Sequence, residues 1–100
     1  MKKIIILIPV FNDWDSLKKL LLEISKNIDD LKEVVFKCII INDASTTDYS
    51  EIKKPKNFES LKILNMKINK GHAQCNAFGI KYIFENEKFE GTLEHSTSNA

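Results

Sequence analysis

An unbroken apolar run, Ile4-Ile5-Ile6-Leu7-Ile8-Pro9-Val10, opens the chain. A strand covered on both faces in a parallel sheet has this pattern because neither face meets water, and the run predicts a strand over 3–9. Further on, Leu17, Leu20, Leu21, Ile24 and Ile28 recur at helical spacing, with Lys18, Lys19, Glu23 and Lys26 on the opposite side. Asp15 stands where an N-cap is wanted, which predicts a helix over 16–28 that ends at Asp29-Asp30. A second run, Val34-Val35-Phe36-Lys37-Cys38-Ile39-Ile40-Ile41, predicts a strand interrupted only by Lys37. It stops abruptly in the polar loop Asn42-Asp43-Ala44-Ser45-Thr46-Thr47-Asp48. Residues 53–56, with Pro55, read as a connector, and 61–66 as a third, weaker strand. After a turn at Asn69-Lys70-Gly71, a second helical stripe follows at Ala73, Ala77, Ile80 and Phe84. Gly79 lies inside that helix at a cost of about 1 kcal/mol against Ala, so a close packing contact is expected there.

The order strand, helix, strand, turn, strand, helix predicts an α/β fold with a mostly parallel sheet and right-handed crossovers. Residues 91–100 are polar, have Leu93 as their one large apolar side chain, and show no period. The tail over 89–100 is therefore expected to be disordered or foreign to the fold. A three-stranded sheet is a poor place to stop. Its third strand would leave an open edge, and one face would lack helices, so pairing between copies of the chain would bury both.

Composition narrows the function classes. One hundred residues suffice for one domain, and fifteen basic against fourteen acidic residues leave a net charge of +1. No large field favours nucleic acid, and the scattered lysines read as a solvated face. Cys38 and Cys75 sit in apolar surroundings without a metal-ligand spacing, which reads as two buried free thiols in a reducing compartment. The amino-terminal apolar run is short and no small-residue cleavage site follows, so a buried strand fits better than a secretory signal. No apolar stretch approaches the roughly 20 residues a membrane span needs. A cytoplasmic protein is expected. No P-loop and no Gly-x-Gly-x-x-Gly fingerprint occurs, and with three glycines in the chain neither is concealed.

In open α/β sheets, ligands bind beyond the carboxyl ends of the strands. The segments there are Pro9-Val10-Phe11-Asn12-Asp13, Asn42-Asp43-Ala44-Ser45 and Asn69-Lys70-Gly71-His72. Asp43 could accept hydrogen bonds from a base or ribose, or could cap its own loop. Lys70 could meet phosphate oxygens, with Gly71 opening the helix start to them, or could be a solvated turn residue. His72 reads as a capping residue. Phe11 and Trp14 could stack on a base, although packing the strand-to-helix corner is the simpler role.

Taken together, these segments resemble the amino-terminal part of the family 2 glycosyltransferases, over roughly residues 3 to 86. Members of that family end their first strand in Pro-Val-Tyr-Asn-Glu, where this chain has Pro9-Val10-Phe11-Asn12-Asp13. Their second strand ends in Asp-Asp-Gly-Ser-Thr-Asp, where this chain has Asn42-Asp43-Ala44-Ser45-Thr46-Thr47-Asp48. An Asn-x-Gly turn then opens an alanine-rich helix, here Asn69-Lys70-Gly71-His72-Ala73. The Asn-x-Gly-His form looks most like members that glycosylate lipid carriers or build surface polysaccharides.

The resemblance implies a three-layer, Rossmann-like GT-A half-domain over 1–88, followed by the tail over 89–100. It implies transfer of a sugar from a nucleotide-diphosphate donor to an acceptor hydroxyl. Pro9 and Phe11 would line the base pocket with Asn12 beside them, Asp43 would bond the base, and Lys70 and Gly71 would lie near ribose and diphosphate. A divalent metal, Mg or Mn, is held in the family by an Asp-x-Asp motif after the fourth strand, with a later carboxylate as base. That motif is absent here, where the sequence reads Phe89-Glu90-Gly91-Thr92-Leu93-Glu94-His95, and no metal ligand is assigned. Asn42 and Ala44 replace Asp and Gly of the family pattern, Thr47 stands in place of its last Asp, and Phe11 lacks the Tyr hydroxyl. The chain alone is thus expected to be an inactive part of such an enzyme. The alternatives are a non-catalytic nucleotide-binding or interaction module, or an unrelated flavodoxin-like domain.

Overall fold

The computed structural model describes residues 2–47 and 52–87, and the backbone of 91–94. The opening apolar run becomes strand β1 (Lys2–Val10), and the stripe of leucines and isoleucines becomes helix α1 (Trp14–Ile28). There follow β2 (Val34–Asn42), β3 (Phe58–Asn65), α2 (His72–Asn86) and a short β4 (Gly91–Glu94). All pairings are parallel, in the order β3-β2-β1-β4. That order begins the doubly wound sequence 3-2-1-4 and not the flavodoxin-like 2-1-3-4, so the flavodoxin alternative is ruled out by topology.

Alternation along the inner strands sorts the core into two halves. Ile6, Ile8 and Val10 of β1 join Cys38 and Ile40 of β2 beneath Trp14, Leu17 and Leu21 of α1. Ile5 and Leu7 join Ile39 and Ile41 beneath Cys75 and Ile83 of α2. Each face therefore has one helix, giving three layers; the expectation of a face without helices is corrected. Gly79 has the packing reason its position demanded: a Cβ there would lie 2.5 Å from Leu7 Cδ1 and 2.9 Å from Cδ2. Leu7 is itself fully buried at the middle of β1.

Lys37, the charge inside β2, points to the α2 side and keeps its ammonium 3.7 Å from Glu87 and 3.9 Å from Glu59. Both partners arrive from outside the strand, so the break in the apolar pattern does not break the strand.

Further expectations are corrected. Residues 91–94 of the tail form β4, with Ile4 opposite Gly91 and Leu7 opposite Glu94, because the free edge of β1 offers a complete ladder of backbone partners. Residues 95–100 lie outside the described part, as do 88–90. β3 starts at Phe58, before the expected 61, with a register shift opposite Phe36 and Lys37. α1 starts two residues early with Asp13 as N-cap, although neither Asp13 nor another side chain makes a cap bond, and Asp15 lies in the first turn.

Candidate functional site

The carboxyl ends of β1, β2 and β3 meet at one edge, and main-chain bonds extend the sheet one step past the strands. The Asp43 amide donates to the Val10 carbonyl and the Met66 amide to the Asn42 carbonyl, both at 2.8 Å. The order of strands reverses between β1 and β4, so the loop after β1 lies at the switch point where such sheets bind ligands. Two non-glycine residues at this edge have left-handed backbone, Asn12 at φ 61° and Ala44 at φ 57°. Asn tolerates that region through local hydrogen bonding, whereas Ala strains there by roughly 1–2 kcal/mol. The family that the sequence resembles has Gly at the place of Ala44, where no Cβ would oppose this conformation.

Asn12 binds the loop after β2. Its Oδ1 accepts hydrogen bonds from the amides of Thr46 at 2.8 Å and Thr47 at 3.0 Å and from the Thr47 hydroxyl at 2.9 Å. Its Nδ2 donates to Thr46 Oγ1 at 2.9 Å, and its own amide donates to Ser45 Oγ at 2.9 Å. The Trp14 indole N–H adds a bond to the Thr47 carbonyl at 3.3 Å. Trp14 is 5% exposed and packs the strand-to-helix corner.

Asp43 binds the loop after β3. Its side chain is 1% exposed. Oδ1 accepts the Lys70 amide at 2.7 Å and Oδ2 the Gly71 amide at 2.8 Å, while Asn69 Nδ2 donates to the Asp43 carbonyl at 3.2 Å. These amides lie at the start of α2, where a negative charge is favoured by the unpaired N–H groups and the helix dipole. Gly71 has φ 85° with open space around the position of a Cβ, so backbone conformation and not crowding calls for glycine. Beneath this joint lies Cys75, whose thiol is pushed up to about 12 by burial first, then by a hydrogen bond to Asp43 and by its charge. Cys38, buried within the sheet, is likewise pushed up to about 12 by burial, and both cysteines are free.

The residues singled out from sequence thus fall into distinct positions. Pro9 is buried in β1 opposite Ile41, supporting the edge from below. Asn12 and Asp43 are taken up by the protein's own loops. Phe11, 39% exposed, and Lys70, also exposed, face outward and are open to a ligand. His72 opens α2. Sequence reasoning missed Ser45, Thr46, Thr47 and Cys75 as partners in these joints, and also an amide pair between Asn42 Nδ2 and Asn65 Oδ1 at 2.9 Å. A cavity of about 390 Å³ lies elsewhere, between α1 and residues 52–56.

Among the described residues no group of three His, Cys, Asp or Glu is placed to hold a metal ion. Those described residues do not fit a metal centre. No helix among the described residues is long and apolar enough to cross a membrane. Residues 5–86 match the family model described as Glycosyl transferase family 2. Comparison with curated proteins and with solved structures gives no significant match.

Proposed function

The chain belongs to glycosyl transferase family 2, and from that premise we propose that its carboxyl edge binds the nucleotide part of a nucleotide-diphosphate-sugar donor. The observation that supports this reading is the joining of the three polar loops into one surface by Asn12 and Asp43. In this reading the exposed ring of Phe11 stacks on the base, and Pro9 forms the floor behind it. Lys70 stands beside the diphosphate, where its ammonium offsets phosphate charge as a mobile point donor. Asp43 serves indirectly: with both oxygens bonded to amides, it fixes the backbone from which Lys70 projects.

In the reaction of such a transferase, an acceptor hydroxyl oxygen bonds to the anomeric carbon. The bond from that carbon to the diphosphate oxygen breaks, and the hydroxyl proton passes to a base. The step needs a free base and compensation for the charge of the leaving diphosphate. Asp43 is closed in and cannot act as that base. We therefore expect these residues alone to bind donor without completing transfer. Two buried thiols agree with a cytoplasmic location, which belongs to the same proposal, as does a role in assembling surface polysaccharide.

Calorimetric titration with UDP, GDP and their sugar conjugates tests the reading. One nucleoside diphosphate should bind, and Lys70→Ala should weaken it several-fold while leaving the parent nucleoside unchanged. No binding of any nucleotide at millimolar concentration would overturn the proposal.

A further inference from the structure

We propose that Asn12 is a positioning residue that forms the nucleotide-facing edge before any ligand arrives, acting through the loop after β2 and not by touching the donor. The proposal rests on the reading of that edge as a nucleotide site. It deepens that reading by separating the residues that build the surface from those that meet the ligand.

Residues 43–47 leave β2 with a left-handed residue at Ala44 and have no regular secondary structure of their own. Backbone N–H groups in such a loop need partners. The Ser45 amide finds one in Asn42 Oδ1 at 3.0 Å, and those of Thr46 and Thr47 find theirs in Asn12 Oδ1 at 2.8 and 3.0 Å. One carbonyl oxygen thus satisfies two successive amides and the Thr47 hydroxyl, while the Asn12 Nδ2 and main-chain N–H hold the Thr46 and Ser45 hydroxyls. Every residue from Ser45 to Thr47 is bonded to Asn12, across some 33 to 35 positions of sequence. The φ of 61° at Asn12 turns its side chain toward this loop, and Asn is among the few side chains that hold that conformation at low cost.

An acceptor committed to three donors has little left for a ligand. Replacing Asn12 should therefore loosen the loop in the free protein, and the loss of binding should follow from that loosening. Contact and positioning make opposite demands on Asn12→Asp. The carboxylate keeps every acceptor bond to the loop and tolerates left-handed backbone, so a positioning role predicts rescue. Direct contact with a diphosphate predicts that Asp, which adds like charge, is worse than Ala.

The experiment compares wild type with Asn12→Ala, Asn12→Gly and Asn12→Asp. Gly removes the side chain without straining φ, so it reports the side chain even if Ala fails to fold. Two readouts are taken: amide exchange of Thr46 and Thr47 without ligand, and affinity for the nucleoside diphosphate that binds the wild type best. The proposal expects exchange at both amides to rise by about tenfold or more in Ala and Gly, equivalent to losing one net hydrogen bond, and to stay within about threefold in Asp. Affinity should fall about tenfold in Ala and Gly and hold in Asp. Unchanged exchange in Gly, or an affinity order with Asp below Ala, would overturn it. Failure of the wild type to bind any nucleotide would instead overturn the reading of the edge, while the ligand-free exchange would still decide whether Asn12 orders the loop.

Discussion

Asp43 provides the most demanding test of how this edge is built. Asp43→Asn keeps size and shape but can accept through one oxygen only, so one of the two amides, at 2.7 and 2.8 Å, meets an NH₂ group in place of an acceptor. A hydrogen bond to a charged group contributes about 1.5–3 kcal/mol, and a buried donor left without a partner costs about 1–3 kcal/mol. At 1% exposure no water relieves the mismatch, so the expected loss is about 2–4 kcal/mol. For a domain whose whole stability is about 5–15 kcal/mol, that is a large share. At about 4–8 °C per kcal/mol the melting temperature should fall by at least about 8 °C. Thermal and urea unfolding followed by circular dichroism measure this. A second consequence separates this joint from general damage: burial first, and then the hydrogen bond and charge of Asp43, hold the Cys75 thiol at about 12, so removing the charge lowers it, while Cys38 stays high by burial. Cys75 should then react faster with a thiol reagent and Cys38 should not. A stability change below about 0.5 kcal/mol, together with unchanged Cys75 reactivity, would refute the assignment of Asp43 as the joint between β2 and α2.

Other consequences are simpler. Gly79→Ala gains about 1 kcal/mol in helix propensity but forces a Cβ to within 2.5 Å of the buried Leu7 side chain. A net loss of about 1–2 kcal/mol is expected in denaturant melts, smaller in a Leu7→Val background. The buried Cys38 thiol, raised from 9.0 to about 12, holds its proton longer folded than unfolded. Its contribution is complete below about pH 9 and is lost as pH rises toward 12, at about 1.4 kcal/mol per pH unit, and Cys38→Ala should flatten that slope. Lys37→Met removes the cation between Glu87 and Glu59 and leaves Lys62, at 3.8 Å, as the partner of Glu87. A loss of about 1 kcal/mol that shrinks in high salt is expected from urea melts.

The inner strands and both helices were legible because burial on two faces, or on one stripe, writes itself into consecutive side chains. Where an element depends on backbone alone, the sequence carries little signal. Gly91–Glu94 becomes a strand because β1 has a free edge beside it, and nothing in those four residues announces that. The start of β3 at Phe58-Glu59-Ser60 was hidden by two polar residues on an edge strand. At the candidate site, the motifs named the three loops but not the hydrogen bonds that join them. Asn12 and Asp43 resemble ligand-facing residues in a linear reading, since their bonds run to partners 27 to 35 positions away. The side chains of Phe11 and Lys70 remain on the outer surface.

Amide chemical-shift mapping during titration decides whether the edge formed by the loops after β1, β2 and β3 receives a nucleoside diphosphate. If it does, shifts should concentrate at Phe11, Ala44, Lys70 and Gly71, while Lys32, Glu33 and Val34 at the opposite end of the sheet stay fixed. Saturable shifts centred instead on the cavity between α1 and residues 52–56, or no shifts at any nucleotide concentration, would contradict it.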